Sequence, residues 1–386
     1  MGNRGGLYPR PMRVLAAPDK FRGTLTAAQA ASAIAAGWRR ERPSDEVDEV
    51  PMADGGEGTL DALVAALGGE LRSVRVSDPL GDPVDASFGM IVTPSGPTAV
   101  IELARASGLA LVGEARRNAL RASSRGTGEL VLAAAREGAG EILVCLGGSA
   151  STDGGAGIAA ALGVRLLDRA GRPVPDGGRG LLELDRVDAT GLERAVRRIR
   201  FVVACDVDDP LTGPRGAARV YGPQKGASPD DVLLLERALA HYAAVIHRDL
   251  GIDLRALPGG GAAGGSAAGL VAFLGARLRP GVAVVMDALD VRRRIATADV
   301  LVTGEGRLDA SSLRGKVISG LLAEARRAGV PMAVLCGRSE IEMPEARVVS
   351  LVNRFGEERA MGDARSALEN LAAEVALDPE RLSSPP

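Results

Sequence analysis

Short, fully apolar blocks alternate along this chain with helical stripes, and each block empties into a glycine-rich polar loop. The block Met12 to Ala17 predicts a strand that delivers Pro18-Asp19-Lys20 at its end. Thr26 is placed to cap the next helix, where Ala30, Ile34 and Trp38 repeat on one face, and that helix should stop before Pro43. A second stripe, Leu60, Leu63, Val64 and Leu67, begins at Thr59 and ends at Gly68-Gly69. Between the two lies Val50 to Gly58, a polar and acidic glycine loop. Strand, helix, strand, acidic glycine loop, helix is the grammar of an open parallel sheet, whose ligands collect beyond the strand C-termini.

The middle of the chain has shorter strand candidates near 74–76, 86–92 and 100–103, separated by turn-rich segments. Apolar 142–146 and 201–205 read as buried strands, and a helix is expected around 229–250. Strand-like runs return at 299–303, apolar over 300–302, and at 331–335, with a final helix from about 357 to 376. The expected fold is α/β with two α/β domains. Residues 12–75 and 285–375 would form a discontinuous Rossmann-like domain on a parallel sheet. Residues 80–255 would form the inserted α/β domain, 256–284 a hinge or cleft segment, and 1–11 and 378–386 flexible tails.

Composition narrows the function. A formal net charge of −2 gives no electrostatic reason to expect nucleic acid or an anionic membrane, and one Trp, three Tyr and five Phe leave little for base stacking. No apolar run reaches membrane-span length, and residues 1–12 lack a signal-peptide core, so a cytoplasmic protein is expected. Cys145, Cys205 and Cys336 are widely spaced in or beside apolar runs and read as buried thiols. His241 and His247 share one helix without a liganding pattern.

The densest chemistry is GGSASTDGG at 147–155, following the apolar run 142–146. A strand running into glycines and then a helix gathers unpaired backbone N–H groups, which suits phosphate, another small anion, or a tight structural turn. It is neither a Walker loop nor a dinucleotide fingerprint. Four further loops at strand ends concentrate charge: Asp19 to Gly23, Asp54 to Glu57, Asp206 to Lys225, and Gly304 to Asp309 with Lys316 beyond. Lys20 and Arg22 can grip an anion. Asp206, emerging from a core strand, can serve as general base, magnesium ligand or cap. Lys316 adds its charge to a helix N-terminus, which makes a phosphate partner attractive.

An ordered motif series resembles the type-1 glycerate kinases: APDKFRGTLTA at 17–27, VPMADGGEGT at 50–59, SSRGTGEL at 123–130, GGSASTDGGAG at 147–157 and CDVDDPL at 205–211. YGPQKGA at 221–227, PGGGAAGG at 258–265, TGEGRLD at 303–309 and GKV at 315–317 complete it. Lys20 and Arg22 stand where that family often has Ser and Lys, and Thr152 where it often has Asn. The resemblance implies ATP-dependent phosphorylation of D-glycerate with Mg²⁺, in a two-domain protein with its cleft between the domains. It implies no permanently bound organic cofactor, and 2-phosphoglycerate rather than 3-phosphoglycerate as product. On that basis Arg22 and Lys20 would hold the glycerate carboxylate. Gly147, Gly148, Ser149, Thr152, Asp153, Gly154 and Gly155 would cradle ATP. Lys316 would neutralise the transferred group, and Asp54, Glu57, Glu305 or Asp309 would hold Mg²⁺. The resemblance names no base, and Asp206 is expected to orient or deprotonate the hydroxyl from its placement at a core strand's outlet. A monomer or homodimer is expected.

Overall fold

The computed structural model describes residues 11–313 and 315–379. Apart from Pro11, Asp378 and Pro379, the tails expected at 1–11 and 378–386 lie outside the described residues. The chain separates into two compact units, Met1–Asp54 with Val285–Pro386, and Gly55–Val284.

In the first unit both chain ends share one five-stranded sheet in the order Arg347–Ser350, Met332–Ser339, Val300–Leu308, Arg13–Ala16, Glu46–Glu49. Every pairing is parallel. The helix Ala27–Glu41 opens with a capping box, in which Thr26 and Gln29 exchange side-chain and backbone bonds. It packs against the helix Ala364–Ala376, and Ile34, Trp38, Leu368 and Leu371 meet Val14 and Val302 of the sheet in one core. The single helix expected over 357–376 is two, Glu357–Gly362 and Ala364–Ala376. They break at Asp363, whose φ of −138° and ψ of 50° are not helical.

Asp45 anchors this core by accepting the Trp38 indole N–H at 2.9 Å, the Met12 N–H at 3.1 Å and the Arg42 Nε–H at 2.5 Å. Burial raises its pKa, but hydrogen bonds from Arg42, Trp38 and Met12 outweigh that and hold the carboxyl below its ordinary range. Asp45→Ala strands a buried indole N–H and a half-paired guanidinium, and should cost about 3 kcal/mol in urea unfolding. Because the folded pKa is depressed, this stabilisation is present above the unfolded carboxylate pKa and lost as pH falls through the folded one. Equal unfolding midpoints for variant and wild type would remove the anchor role.

The second unit holds a six-stranded mixed sheet, Arg277–Arg279, Arg200–Ala204, Glu141–Cys145, Gly96–Glu102, Pro83–Thr93, Glu70–Ser77. Its first three pairings are parallel and its last two antiparallel, so Pro83–Thr93 alone runs against the others. The domain boundary expected near residue 75 therefore moves to Asp54/Gly55. Strand Glu70–Ser77 pairs with Pro83–Thr93 across the tight turn at 78–82, and helix Thr59–Leu67 packs on the same hairpin. Segment 256–284 is no separate hinge either, since it supplies the helix Ser266–Leu274 and the edge strand Arg277–Arg279. The helix Pro229–Leu250 carries both histidines and covers a core of Leu181, Leu235, Leu239, Tyr242 and Ile246. Among the described residues no helix is long and apolar enough to cross a membrane.

Candidate active site

Strand order in the first unit reverses between Arg13–Ala16 and Val300–Leu308, and doubly wound sheets take ligands in the crevice beyond the carboxyl ends of such a pair. Asp19 stands there. Its N–H donates to the Gly304 carbonyl at 2.8 Å, and its Oδ1 accepts the Lys20 N–H at 2.7 Å. Burial first, then the neighbouring Asp54 carboxylate, pushes its pKa up to about 6, while Lys20 and Lys316 oppose the shift. Glu305, on the adjacent strand, is pushed up to about 7, again by burial first, with Asp19 adding and Ser312 and Lys316 opposing. Its Oε1 is buried without a hydrogen-bond partner.

Lys316 stands at the N-cap position of the helix Val317–Ala328 and donates from Nζ to Ser311 Oγ at 2.8 Å. Ser311 in turn donates to Asp309 Oδ1 through its N–H at 2.8 Å and its hydroxyl at 2.6 Å. These bonds hold the Asp309 carboxyl below its ordinary range and fold it into its own turn. Lys20 and Arg22, expected to act together, flank buried Phe21 along the chain. Lys20 lies beside Asp19. Arg22 is exposed and lines a cavity of about 330 Å³ with Arg307 and Arg338.

The second unit builds its polar site on the strand Glu141–Cys145. The loop beyond it is held by Leu109 N–H donating to Gly148 O at 2.8 Å and Ala150 N–H to Ser107 O at 2.9 Å. Gly147 and Gly148 keep the loop's accessible end, while Ser149 and residues 151–155 are buried. Asp153 is fully buried and accepts from Ser124 N–H and Oγ–H, both at 2.8 Å, from Gly155 N–H at 3.1 Å and from Gly157 N–H at 3.2 Å. An acid spent on four internal donors is a clamp, and its charge would repel a phosphate. The Thr152 hydroxyl is buried without a partner.

Two glycines of this loop have different work. Gly148, at φ +70°, would place a Cβ no closer than 3.3 Å to Ala104. Gly154, at φ +66°, would drive a Cβ to 2.6 Å from the Tyr242 ring. Gly154 N–H also donates to Gly264 O at 3.0 Å, so PGGGAAGG is a backing layer for the loop rather than a hinge. Both substitutions to valine pay the left-handed strain, but Gly154→Val adds a clash in a packed core and should cost at least about 2 kcal/mol more stability than Gly148→Val. Equal thermal midpoints for the two variants would show that Tyr242 yields.

Asp206 is exposed, and its Oδ1 accepts the Gly281 N–H at 2.8 Å, the bond of a cap. Glu57 is exposed in a loop tied down by Gly58 and Leu60 N–H groups donating to buried Glu102 at 2.8 and 2.9 Å. Among the described residues no three or more His, Cys, Asp or Glu form a group that could hold a metal. Asp54, Glu305 and Asp309 lie in the first unit and Glu57 in the second. The partnerless Glu305 oxygen is nevertheless the chemistry a cation satisfies, and Mg²⁺ commonly takes only one or two carboxylates, with phosphates and water supplying the rest.

Asp19 and Lys225 were both legible in the sequence as members of charged loops, neither with a role of its own. That lysine is 2% exposed, and its Nζ donates to Ser149 Oγ at 2.8 Å and to Ser151 O at 2.6 Å. The available signal was a lone lysine inside the Gly-Pro-Gln-Lys-Gly turn.

The family described as the glycerate kinase family matches residues 14–378. The glycerate kinase of Halalkalibacterium halodurans is 43% identical over 94% of this chain and 97% of its own length. The glycerate 2-kinase of Escherichia coli is 44% identical over 84% of this chain and 85% of its own. A crystal structure from Salmonella typhimurium LT2, assigned as glycerate kinase 2, superposes with a TM-score of 0.89 at 41% identity, covering 96% of this chain and 99% of that one. These matches correct the type-1 label attached to the motif series. The matching family carries no such subtype, and the similar proteins include a glycerate 2-kinase. Motif order and spacing carried the family and nothing finer. The chain belongs to the glycerate kinase family.

Proposed function

We propose that this chain transfers the γ-phosphoryl group of ATP to the 2-hydroxyl of D-glycerate, giving ADP and 2-phosphoglycerate. The family match along residues 14–378 carries the reading, and the 2-kinase name of a relative supports the choice of hydroxyl. The backbone N–H groups of Gly147 and Gly148 and the Ser149 hydroxyl would hold ATP phosphates. Arg22 would grip the glycerate carboxylate, and Lys20 would add positive potential beside Asp19. As the hydroxyl oxygen bonds to the γ-phosphorus and the bond to the ADP oxygen breaks, the hydroxyl proton passes to a carboxylate acting as general base. Asp19 is favoured for that role over Asp206. Asp19 is three residues past its strand at the switch point, whereas Asp206 already caps Gly281. Lys316 would offset charge on the transferred group. Glu305 and Asp54 would hold Mg²⁺, which when bound supplies neutralisation of phosphate charge.

Phosphorus NMR of the products from D-glycerate and Mg-ATP tests the proposal. The 2-phosphate ester is the expected result. The 3-phosphate ester would overturn the regiochemistry, and no ester from demonstrably folded protein would overturn the reaction.

A further inference from the structure

Lys225 closes the short turn Pro223–Lys225, and its side chain is buried in the second unit. Removing an ammonium from water is costly unless its protons find partners. Two of them do, on Ser149 Oγ at 2.8 Å and on the Ser151 carbonyl at 2.6 Å. Burial pushes the Lys225 pKa down to about 7, and the Asp153 charge opposes that shift through space, while Asp153's own hydrogen bonds come from Ser124, Gly155 and Gly157. A short hydroxyl or amide could have tied the loop at less cost than a buried lysine, so the lysine asks for a further reason.

The reason lies in the chemistry of a hydroxyl. Ser149 Oγ has one proton to give and lone pairs to accept with. Once Lys225 donates to it, its proton remains for another acceptor, and the bond it accepts polarises it into a stronger donor. The second bond, to Ser151 O, pins the backbone two residues on, so both bonds fix the shape of the same loop.

We propose that Lys225 is a positioning residue for phosphate recognition, turning the Ser149 hydroxyl into a committed donor to a phosphoryl oxygen and holding the 147–151 backbone in its binding shape. This rests on the reading that the loop cradles ATP.

The test compares Lys225→Met, Ser149→Ala and the double variant by ATP KM, glycerate KM, kcat, ADP titration calorimetry and thermal midpoint. Each single change should raise the ATP KM and weaken ADP binding by about 10-fold or more, the size expected for one charge-assisted hydrogen bond, while the glycerate KM moves less than about 3-fold. The double variant should be little worse than the weaker single one, because both remove the same donor. Independent, multiplying losses would overturn the proposal, as would a wild-type ATP KM in Ser149→Ala. If Lys225→Met does not fold, Ser149→Ala decides alone, since it removes only the terminal oxygen. Wild-type protein that turns over but shows unaltered ATP KM in both variants sinks this inference and leaves the reaction standing. Wild-type protein that binds no ADP sinks the nucleotide reading and this inference with it.

Discussion

Asp19→Asn should lower kcat by roughly 10²- to 10⁴-fold, the usual worth of a positioned general base, with a smaller change in ATP KM. The expectation rests on placement. Asp19 leaves the first strand of the parallel sheet where the strand order reverses, and its Oδ1 takes the Lys20 N–H. Burial and Asp54 push its pKa up to about 6, so it is still ionised at neutral pH yet a better proton acceptor than an ordinary carboxylate. The sign for activity follows: the base works when deprotonated, so turnover should fall as pH drops through the carboxyl's pKa, and Mg²⁺ held by Asp54 and Glu305 would move that fall to lower pH. Glu305, pushed up to about 7, titrates in the same window, so the variant must accompany the pH profile. Asn keeps the shape and the bond from Lys20 but cannot take the hydroxyl proton. In contrast, Asp206→Asn retains an oxygen for the Gly281 N–H and should leave kcat within a few-fold. The reverse pattern, near-normal turnover in Asp19→Asn and collapse in Asp206→Asn, would hand the base role to Asp206.

Much of the parallel sheet was legible because buried strands are written as unbroken apolar runs. The residues 14–16, 300–303 and 332–336 can lie nowhere else once two faces are covered. The domain boundary was not, because Glu70–Ser77 looks like one more strand of the first sheet. Only its antiparallel register with Pro83–Thr93 assigns it to the second. Site residues were legible as loops but not as roles. Asp309 reads as a metal ligand until its bonds to Ser311, two residues on, are seen. Gly154 reads as part of a phosphate nest, yet its missing side chain makes room for Tyr242, far away in sequence. Lys225 gave no local sign of burial, since what buries it is a loop more than seventy residues earlier.

Asp153→Ala should be among the most damaging single changes in the second unit, costing about 3–5 kcal/mol of stability and, on the proposed reading, most of the ATP affinity. The carboxylate joins the start of the helix Arg125–Arg136, through Ser124, to the turn that opens Ala156–Ala161. Truncation would leave the Ser124, Gly155 and Gly157 N–H groups buried with no acceptor, each a desolvation cost of about 1–3 kcal/mol. It would also remove the negative charge that Lys225 senses, tilting that buried lysine further toward its neutral form. Asn is the sharper probe. Burial pushes the Asp153 carboxyl pKa up and the donors around it pull it down, with the upward pull the larger. If the group were neutral in the native protein, Asn would be a fair replacement. The geometry argues for the ion. Ser124 Oγ already accepts the Ile158 N–H at 3.2 Å, so its proton points at Asp153, which then faces donors from every partner. An amide NH₂ would oppose the Gly155 N–H if it took the Oδ1 place and three donors if it took the Oδ2 place, so Asp153→Asn should lose at least about 2 kcal/mol in urea unfolding. Wild-type stability in Asp153→Asn would mean that the native carboxyl is protonated and that the clamp works as a neutral hydrogen-bonding group.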